Sequence, residues 1–386
     1  MFWFLVPAIK NLYLHVMKFL LAPTAMKGAL TPQKIASILT KTLRRRYRDA
    51  EITAIPLADG GNGTLDCVMN TLGGTIDEIE ITGPLPSQRT VARYGITKER
   101  IAVIESAEAV DLHRISPSPE TIAHATTRGI GELLRHVASF SPKEIWIGLG
   151  GTATNDGGAG MASALGAEFR DENGEPLTDG AIPLLRLASV LYNREKAMTV
   201  PVTILSDVRN TLLGPDGATY TFARQKGASE EQLPYLEAGM KNLAETVHRD
   251  LGVDRSMDEG SGAAGGLGFG LLTFTNARIV SGIETMLTIA DFERHLEECD
   301  CVITTEGTID EQTTFGKGIA GIAARAAAHH KPVHAFVGRI AGDAERLKRS
   351  LGLTSLTAVS PADMSTLDAL RDASWLLADA VYHHSF

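Results

Sequence analysis

Four charged side chains stand in polar stretches that each follow a short apolar run: Lys27, Asp59, Asp207 and Glu306, with Asp310 close behind the last. A fifth stretch, IGLGGTATNDGGAG at 147–160, brings Gly150, Gly151, Thr152, Thr154, Asn155 and Asp156 together. A strand feeding a glycine-rich turn that opens into a helix exposes backbone N–H groups to an anion, and the helix N-terminus adds partial positive charge. Taken singly, each residue has a plainer reading: Lys27 as a surface lysine, Asp59 or Asp207 as a turn former or helix cap. Together they supply what phosphoryl transfer needs, namely N–H groups and a cation around phosphates, oxygen ligands for a metal, and a carboxylate to accept a hydroxyl proton.

The elements that must position these groups follow from periodicity. Residues 144–149 read as a short buried strand, and 161–165 restart a helix that stops at Gly166. A first strand runs from Met17 to Pro23; Thr31 and Pro32 then cap a helix striped by Ile35, Ile38, Leu39 and Leu43, whose Arg44–Arg46 end reads as solvated. A strand at 51–57 enters ADGGNGT at 58–64. Residues 76–105 are β-rich, with turns at Gly83-Pro84 and Lys98-Glu99 that predict antiparallel strands. A helix over 121–138, a strand at 200–205, a helix over 230–251 and a third glycine-rich loop at 259–270 complete the middle. The last third alternates again: a strand at 300–304, a loop at 305–317 ending in Lys317, then helix, strand, helix, strand and helix. The two chain ends therefore predict one discontinuous parallel α/β domain, 17–75 with 270–386, interrupted by a mixed α/β domain at 76–269.

Bulk properties fit this picture. A chain of 386 residues suits two domains, with 44% hydrophobic and 22% charged residues as in ordinary globular enzymes. The net charge of −9 argues against nucleic acid or an anionic membrane as partner. Three cysteines without a C-x-x-C give neither a disulfide framework nor a zinc site and suit a reducing, cytoplasmic setting. Residues 1–16 are apolar but interrupted by Lys10, Asn11 and His15, and read as an N-terminal extension preceding Met17. Neither G-x-x-x-x-G-K-[ST] nor G-x-G-x-x-G occurs in the 147–160 loop, and the first strand leads into Thr-Ala-Met-Lys-Gly, against a dinucleotide oxidoreductase.

The motifs APTAMKG at 22–28, ADGGNGT at 58–64, IGLGGTATNDGGAG at 147–160, SDVRN at 206–210, QKGA at 225–228, GAAGGLG at 262–268 and EGTIDEQTTFGK at 306–317 resemble those of the type I glycerate kinase family, the bacterial glycerate 2-kinases. The resemblance runs from Met17 to about Gly338. It implies a flavodoxin-like domain built from both chain ends and an inserted domain of restriction-endonuclease-like topology. It also implies ATP- and Mg2+-dependent phosphorylation of D-glycerate to 2-phosphoglycerate, with no nucleic acid or membrane partner; a homodimer is a further expectation. The family pattern has Asp at Thr24, Phe at Met26, Glu at Asn62, Pro at Thr211 and Gly at Thr305, so a non-catalytic glycerate or nucleotide sensor is the rival expectation. On this basis Lys27 is assigned to the transferring phosphoryl group, and Asp207, then Asp59, to the base. Gly150–Asp156 and Lys317 are assigned to phosphates, Glu306 and Asp310 to the metal, and Asn210, Arg128 and Lys226 to the acceptor, with Arg224 a further candidate for its carboxylate.

Overall fold

The computed structural model describes residues 16–310 and 318–386; Lys317 and residues 1–15 of the expected extension lie outside them. Its strands are β1 (Lys18–Pro23), β2 (Glu51–Ala54), β3 (Gly74–Thr82), β4 (Arg89–Thr97), β5 (Ile101–Glu105), β6 (Glu144–Gly148), β7 (Glu168–Arg170), β8 (Ser189–Leu191), β9 (Val202–Leu205), β10 (Ala277–Val280), β11 (Cys301–Ile309), β12 (Val333–Ile340) and β13 (Ser355–Ala358). They build two main sheets, in the orders β13-β12-β11-β1-β2 and β10-β9-β6-β5-β4-β3. A small antiparallel pair, β7 with β8, stands apart.

The first sheet is wholly parallel, and its central strands β1, β11 and β12 are buried over most of their length between two covered faces. Along β1 the side chains alternate between two cores. Phe19 and Leu21 pack with Ile35, Leu39 and Leu377 on one face, while Leu20 and Ala22 pack with Val68, Ile283 and Ile322 on the other. The central partners β1 and β11 come from opposite ends of the chain, Phe19 pairing with Cys301 and Pro23 with Thr305. In the second sheet β10, β9, β6 and β5 are parallel, while β5-β4 and β4-β3 are antiparallel, as the turn residues predicted. β10 pairs with β9 in this sheet, and the chain returns to the first sheet only at β11, later than an expected boundary at residue 270.

Three local expectations are corrected. The helix over 121–138 is two helices, Pro119–His124 and Arg128–Ala138, because Thr127 between them turns its N–H and hydroxyl onto the buried Asp156 carboxylate, at 2.8 and 2.9 Å. The strand over 300–304 continues to Ile309, since β12 pairs with it along its whole length; Glu306 is thus held on a strand opposite Val337. The arginine run after the first helix is not simply solvated. Arg46 donates to the carbonyls of Tyr382 (2.7 Å) and His384, and Arg45 lies over the Tyr382 ring.

That C-terminal tail docks on a histidine pair. His334 Nδ1 lies 3.0 Å from His384 Nε2 and 2.9 Å from Ser355 Oγ, and Phe386 packs edge-on against His334. His334 is only 6% exposed, and burial together with His384 holds its pKa down to about 4. The unfolded chain, with an ordinary histidine, binds the proton first, so stability present above pH ~6.5 is lost as pH falls toward 4. Urea unfolding is expected to register a loss on the order of 2–3 kcal/mol across that window. A His334→Leu variant is expected to flatten the slope; an unchanged slope places the pH dependence elsewhere.

Candidate active site

The first sheet has the order in which the chain reverses direction of travel between β1 and β11, and open α/β sheets take ligands outside the carboxyl ends of strands at such a switch point. Thr24 and Lys27 follow β1 there, and Glu306 sits toward the end of β11. The two strand ends are laced together. Thr24 Oγ1 donates to the Thr305 carbonyl and Thr305 Oγ1 donates to the Thr24 carbonyl (2.7 Å), while Thr24 Oγ1 lies 3.4 Å from Glu306 Oε2. Lys27 is presented by a tight turn in which Met26 and Leu30 exchange backbone hydrogen bonds of 3.0 and 2.9 Å. Its side chain is 71% exposed, with Nζ 3.3 Å from Asp59 Oδ2.

Asp59 comes from the loop after β2 and folds back to accept the Gly61 N–H at 3.0 Å. That loop is wedged against the second sheet. Gly60 has φ +93, and a Cβ there would overlap the carbonyl oxygen of Leu205; one on Gly150 would come 2.7 Å from Gly61 Cα. Gly60→Ala is therefore expected to cost roughly 3 kcal/mol, combining the left-handed conformation with a backbone clash. Chemical denaturation measures it, and a loss under 1 kcal/mol would contradict this packing. Asp207 follows β9 on the same side, its carboxylate accepting Ser281 Oγ at 2.6 Å and the Ile283 N–H at 3.1 Å. It thereby fixes the start of the helix Gly282–Ile289.

These groups share one electrostatic field. Lys27 is raised above its ordinary pKa, chiefly by Asp59, against the cost of burial and with help from Glu306 and Asp207. Burial pushes Asp59 upward, but Lys27 and the Gly61 amide outweigh it and the net shift is downward. Burial pushes Glu306 up to about 7, reinforced by the Asp59 charge. Burial also raises Asp207, against its hydrogen bonds from Ser281 and Ile283. One lysine thus faces three carboxylates whose proton affinities differ, which suits a division into permanent anion and proton acceptor.

The 147–160 loop divides into an edge and an interior. Gly151 is exposed and Gly150 half-buried beside Asn62, whereas residues 152–156 are buried. Several donors expected to face phosphate are spent internally: the Gly150 N–H on Ser106 Oγ, that of Ala153 on the Val110 carbonyl, and those of Gly158 and Gly160 on Asp156. Asp156 is a buried anchor of the loop and of Thr127, not a group facing ligand. Thr154 Oγ1 and Asn155 Oδ1 lie buried without a hydrogen-bond partner.

Among the residues assigned to the acceptor, Arg128 is committed to Asp179 through contacts of 2.6 and 2.8 Å, and Arg224 to Glu230 through contacts of 2.6 and 2.9 Å. Asn210 ties its own loop, donating to the Asp216 carbonyl at 2.7 Å. Lys226 is 3% exposed and sits beneath the 152–154 segment, with Nζ 2.7 Å from the Thr154 carbonyl and 3.4 Å from Thr152 Oγ1. Burial pulls its pKa down to about 7, against the opposing pull of Asp156.

Asp310 is half-buried just past β11. Among the described residues no group of three or more His, Cys, Asp or Glu side chains converges on one metal position. Sequence reasoning missed Glu105, a buried carboxylate at the end of β5 that accepts the N–H groups of Gly63 (3.0 Å) and Leu65 (3.2 Å) and so fixes the 58–64 loop. A lone acid closing the apolar run IAVIE was its signal.

A switch point that carries a lysine held by carboxylates, fed by loops from a second sheet, defines a mixed α/β phosphotransferase. A profile of the glycerate kinase family matches residues 19–384. The chain is 36% identical over 361 residues to a Bacillus subtilis glycerate kinase (93% of this chain, 94% of that one) and 37% identical over 332 residues to an Escherichia coli glycerate 2-kinase (85% and 86%). A Salmonella typhimurium LT2 crystal structure assigned as glycerate kinase 2 superposes with a TM-score of 0.75 at 36% identity, covering 95% of this chain and 96% of that one. The chain belongs to the glycerate kinase family, and it is a kinase. Among the described residues no helix is long and apolar enough to cross a membrane.

Proposed function

We propose that this kinase transfers the terminal phosphoryl group of ATP to the 2-hydroxyl of D-glycerate, giving 2-phosphoglycerate, in the cytoplasm. The observation that carries the proposal is the meeting of Lys27, Asp59, Asp207 and Glu306 at strand ends drawn from both sheets. The name of the Escherichia coli relative supports the 2-position. The two sheets are taken as two domains, the first flavodoxin-like in strand order and closing on the second around these loops.

In this reading Lys27 places positive charge where negative charge builds on the transferring group. Asp207, raised by burial yet fixed by two hydrogen bonds, accepts the proton of the attacking hydroxyl. The acceptor's carboxylate rests at the exposed Gly151, with the Lys226 amine buried behind Thr152. Mg2+ keeps few protein ligands and takes much of its shell from phosphates, so the paired oxygen donors Asp59 and Glu306, with Asp310 beyond, fit it. When bound, the ion offsets the charge on the phosphates and orients them.

Incubation with ATP, Mg2+ and D-glycerate, followed by 31P NMR, is expected to yield ADP and 2-phosphoglycerate. Tight glycerate binding without ADP would identify a sensor instead, and a 3-phosphoglycerate signal would overturn the regiochemistry.

A further inference from the structure

At the end of β5 two adjacent polar residues, Glu105 and Ser106, are turned toward two different loops; they are 5% and 1% exposed. Glu105 reaches across to the loop that carries Asp59. Both of its carboxylate oxygens lie 3.0 Å from the Gly63 nitrogen, and Oε2 also accepts the Leu65 N–H at 3.2 Å. These donors open the helix Thr64–Leu72, whose N-cap, Gly63, has φ +94 and offers no side chain of its own. A carboxylate from the second sheet therefore stands where a capping side chain belongs, and the helix dipole favours its charge there.

Ser106 serves the other loop. Its Oγ accepts the Gly150 N–H and donates to the Gly150 carbonyl, both at 3.0 Å. The segment it begins continues that hold: the Val110 carbonyl accepts the Ala153 N–H at 2.9 Å, and the Leu112 N–H donates to the Gly151 carbonyl at 2.8 Å. The two loops also abut. A Cβ on Gly148 would come 2.7 Å from the Gly60 carbonyl oxygen, and one on Gly151 would overlap Asn62 Oδ1.

Burial works against a charge at this junction. It pushes Glu105 up to about 7, opposed by the Leu65 and Gly63 N–H groups and reinforced by the charges of Glu108 and Asp66. Arg93 offsets part of that repulsion by spanning the two acids, with Nη1 3.1 Å from Asp66 and Nη2 2.6 Å from Glu108. What the buried carboxylate holds is the loop in which Asp59, four positions before Gly63, meets Lys27 at 3.3 Å. What its neighbour holds is the edge at which Gly151 is exposed.

We propose that Glu105 and Ser106 are a pair of positioning residues for phosphoryl transfer: Glu105 sets the Asp59 loop, Ser106 sets the Gly150–Gly151 edge, and their shared peptide fixes one against the other. The inference rests on the kinase reaction proposed above, with Lys27 and Asp59 at the transferring group and Gly151 at the acceptor. Neither residue touches substrate; each acts through the backbone N–H groups it holds.

Steady-state kinetics on the full chain, run below the unfolding midpoint of each variant, test the division of tasks. Glu105→Gln keeps the shape but replaces one acceptor oxygen by a donor. It is expected to lower kcat ~10–100-fold, the scale for groups that orient a reacting side chain, while the D-glycerate KM stays near that of the wild type. Ser106→Ala is expected chiefly to raise the D-glycerate KM, by ~10-fold. Folded variants that both change the same constant, or that change neither, overturn the pair. Should Glu105→Gln fail to fold, Glu105→Asp, which keeps the charge and draws it back by one methylene, carries the same test. Hydrogen exchange read by mass spectrometry separates this inference from the reaction itself. Glu105→Gln is expected to speed exchange at 58–66 and Ser106→Ala at 147–153, and unchanged exchange in both segments overturns the assignment. A wild type that makes no ADP from D-glycerate yet shows these exchange changes would end the kinase reading and leave the hold on the two loops standing.

Discussion

Replacing Lys27 by Met is expected to lower kcat by ~10³-fold, the scale seen when a preorganised charge at a phosphoryl-transfer site is removed. The unfolding midpoint should stay where it is, because the side chain is 71% exposed and its pairing with Asp59 is that of a surface ion pair. Asp59 would then lose its main compensating charge and Glu306 one of the groups that lowers its pKa, so the variant should also carry a pH–rate profile shifted to higher pH. Steady-state kinetics across pH, with thermal unfolding as control, make the measurement. Activity within a few-fold of wild type would remove Lys27 from the chemistry.

Asp207→Asn carries the second large effect, a fall in kcat of ~10²–10⁴-fold, as for loss of a general base. The substitution is nearly isosteric. The carbonyl oxygen of Asn can still accept the Ile283 N–H, and Ser281 Oγ can accept from the new amide, so the start of the helix Gly282–Ile289 survives. ATP binding should therefore be unchanged. Burial raises Asp207 while Asp59 stays below its usual range, and this contrast separates the two roles. Asp59→Asn should instead weaken the hold on Lys27 and lower the apparent affinity for metal. Equal kcat in wild type and Asp207→Asn would transfer the base role to another carboxylate.

Much of the candidate site was legible before any coordinates. Lys27, Asp59 and Asp207 stood out because each follows an apolar run with a charged residue in a polar loop, a pattern that burial makes informative. The alternation of strands and helices at both ends, against the antiparallel run of 76–105, was equally plain, since periods of 2 and 3.6 are written locally. Burial at a distance was not. Nothing in TNDGGAG distinguishes an aspartate that faces ligand from one, like Asp156, that is closed over by Thr127 and Gly160. Nor does the chain around Arg128 tell that Asp179, far along the sequence, will neutralise it.

What the amino-acid sequence determined by itself was therefore local: strand and helix types, the glycine turns, and the family its motifs place it in. Tertiary structure alone decided which of those polar groups meet. It carried Glu306 onto a lengthened strand beside Lys27, committed Arg128 and Arg224 to carboxylates, buried Lys226 under the 152–154 segment, and used Glu105 to pin the Asp59 loop. The reason is that hydrogen bonding and charge pairing act over a few ångströms in space, across chain separations of up to 338 residues that no local pattern records.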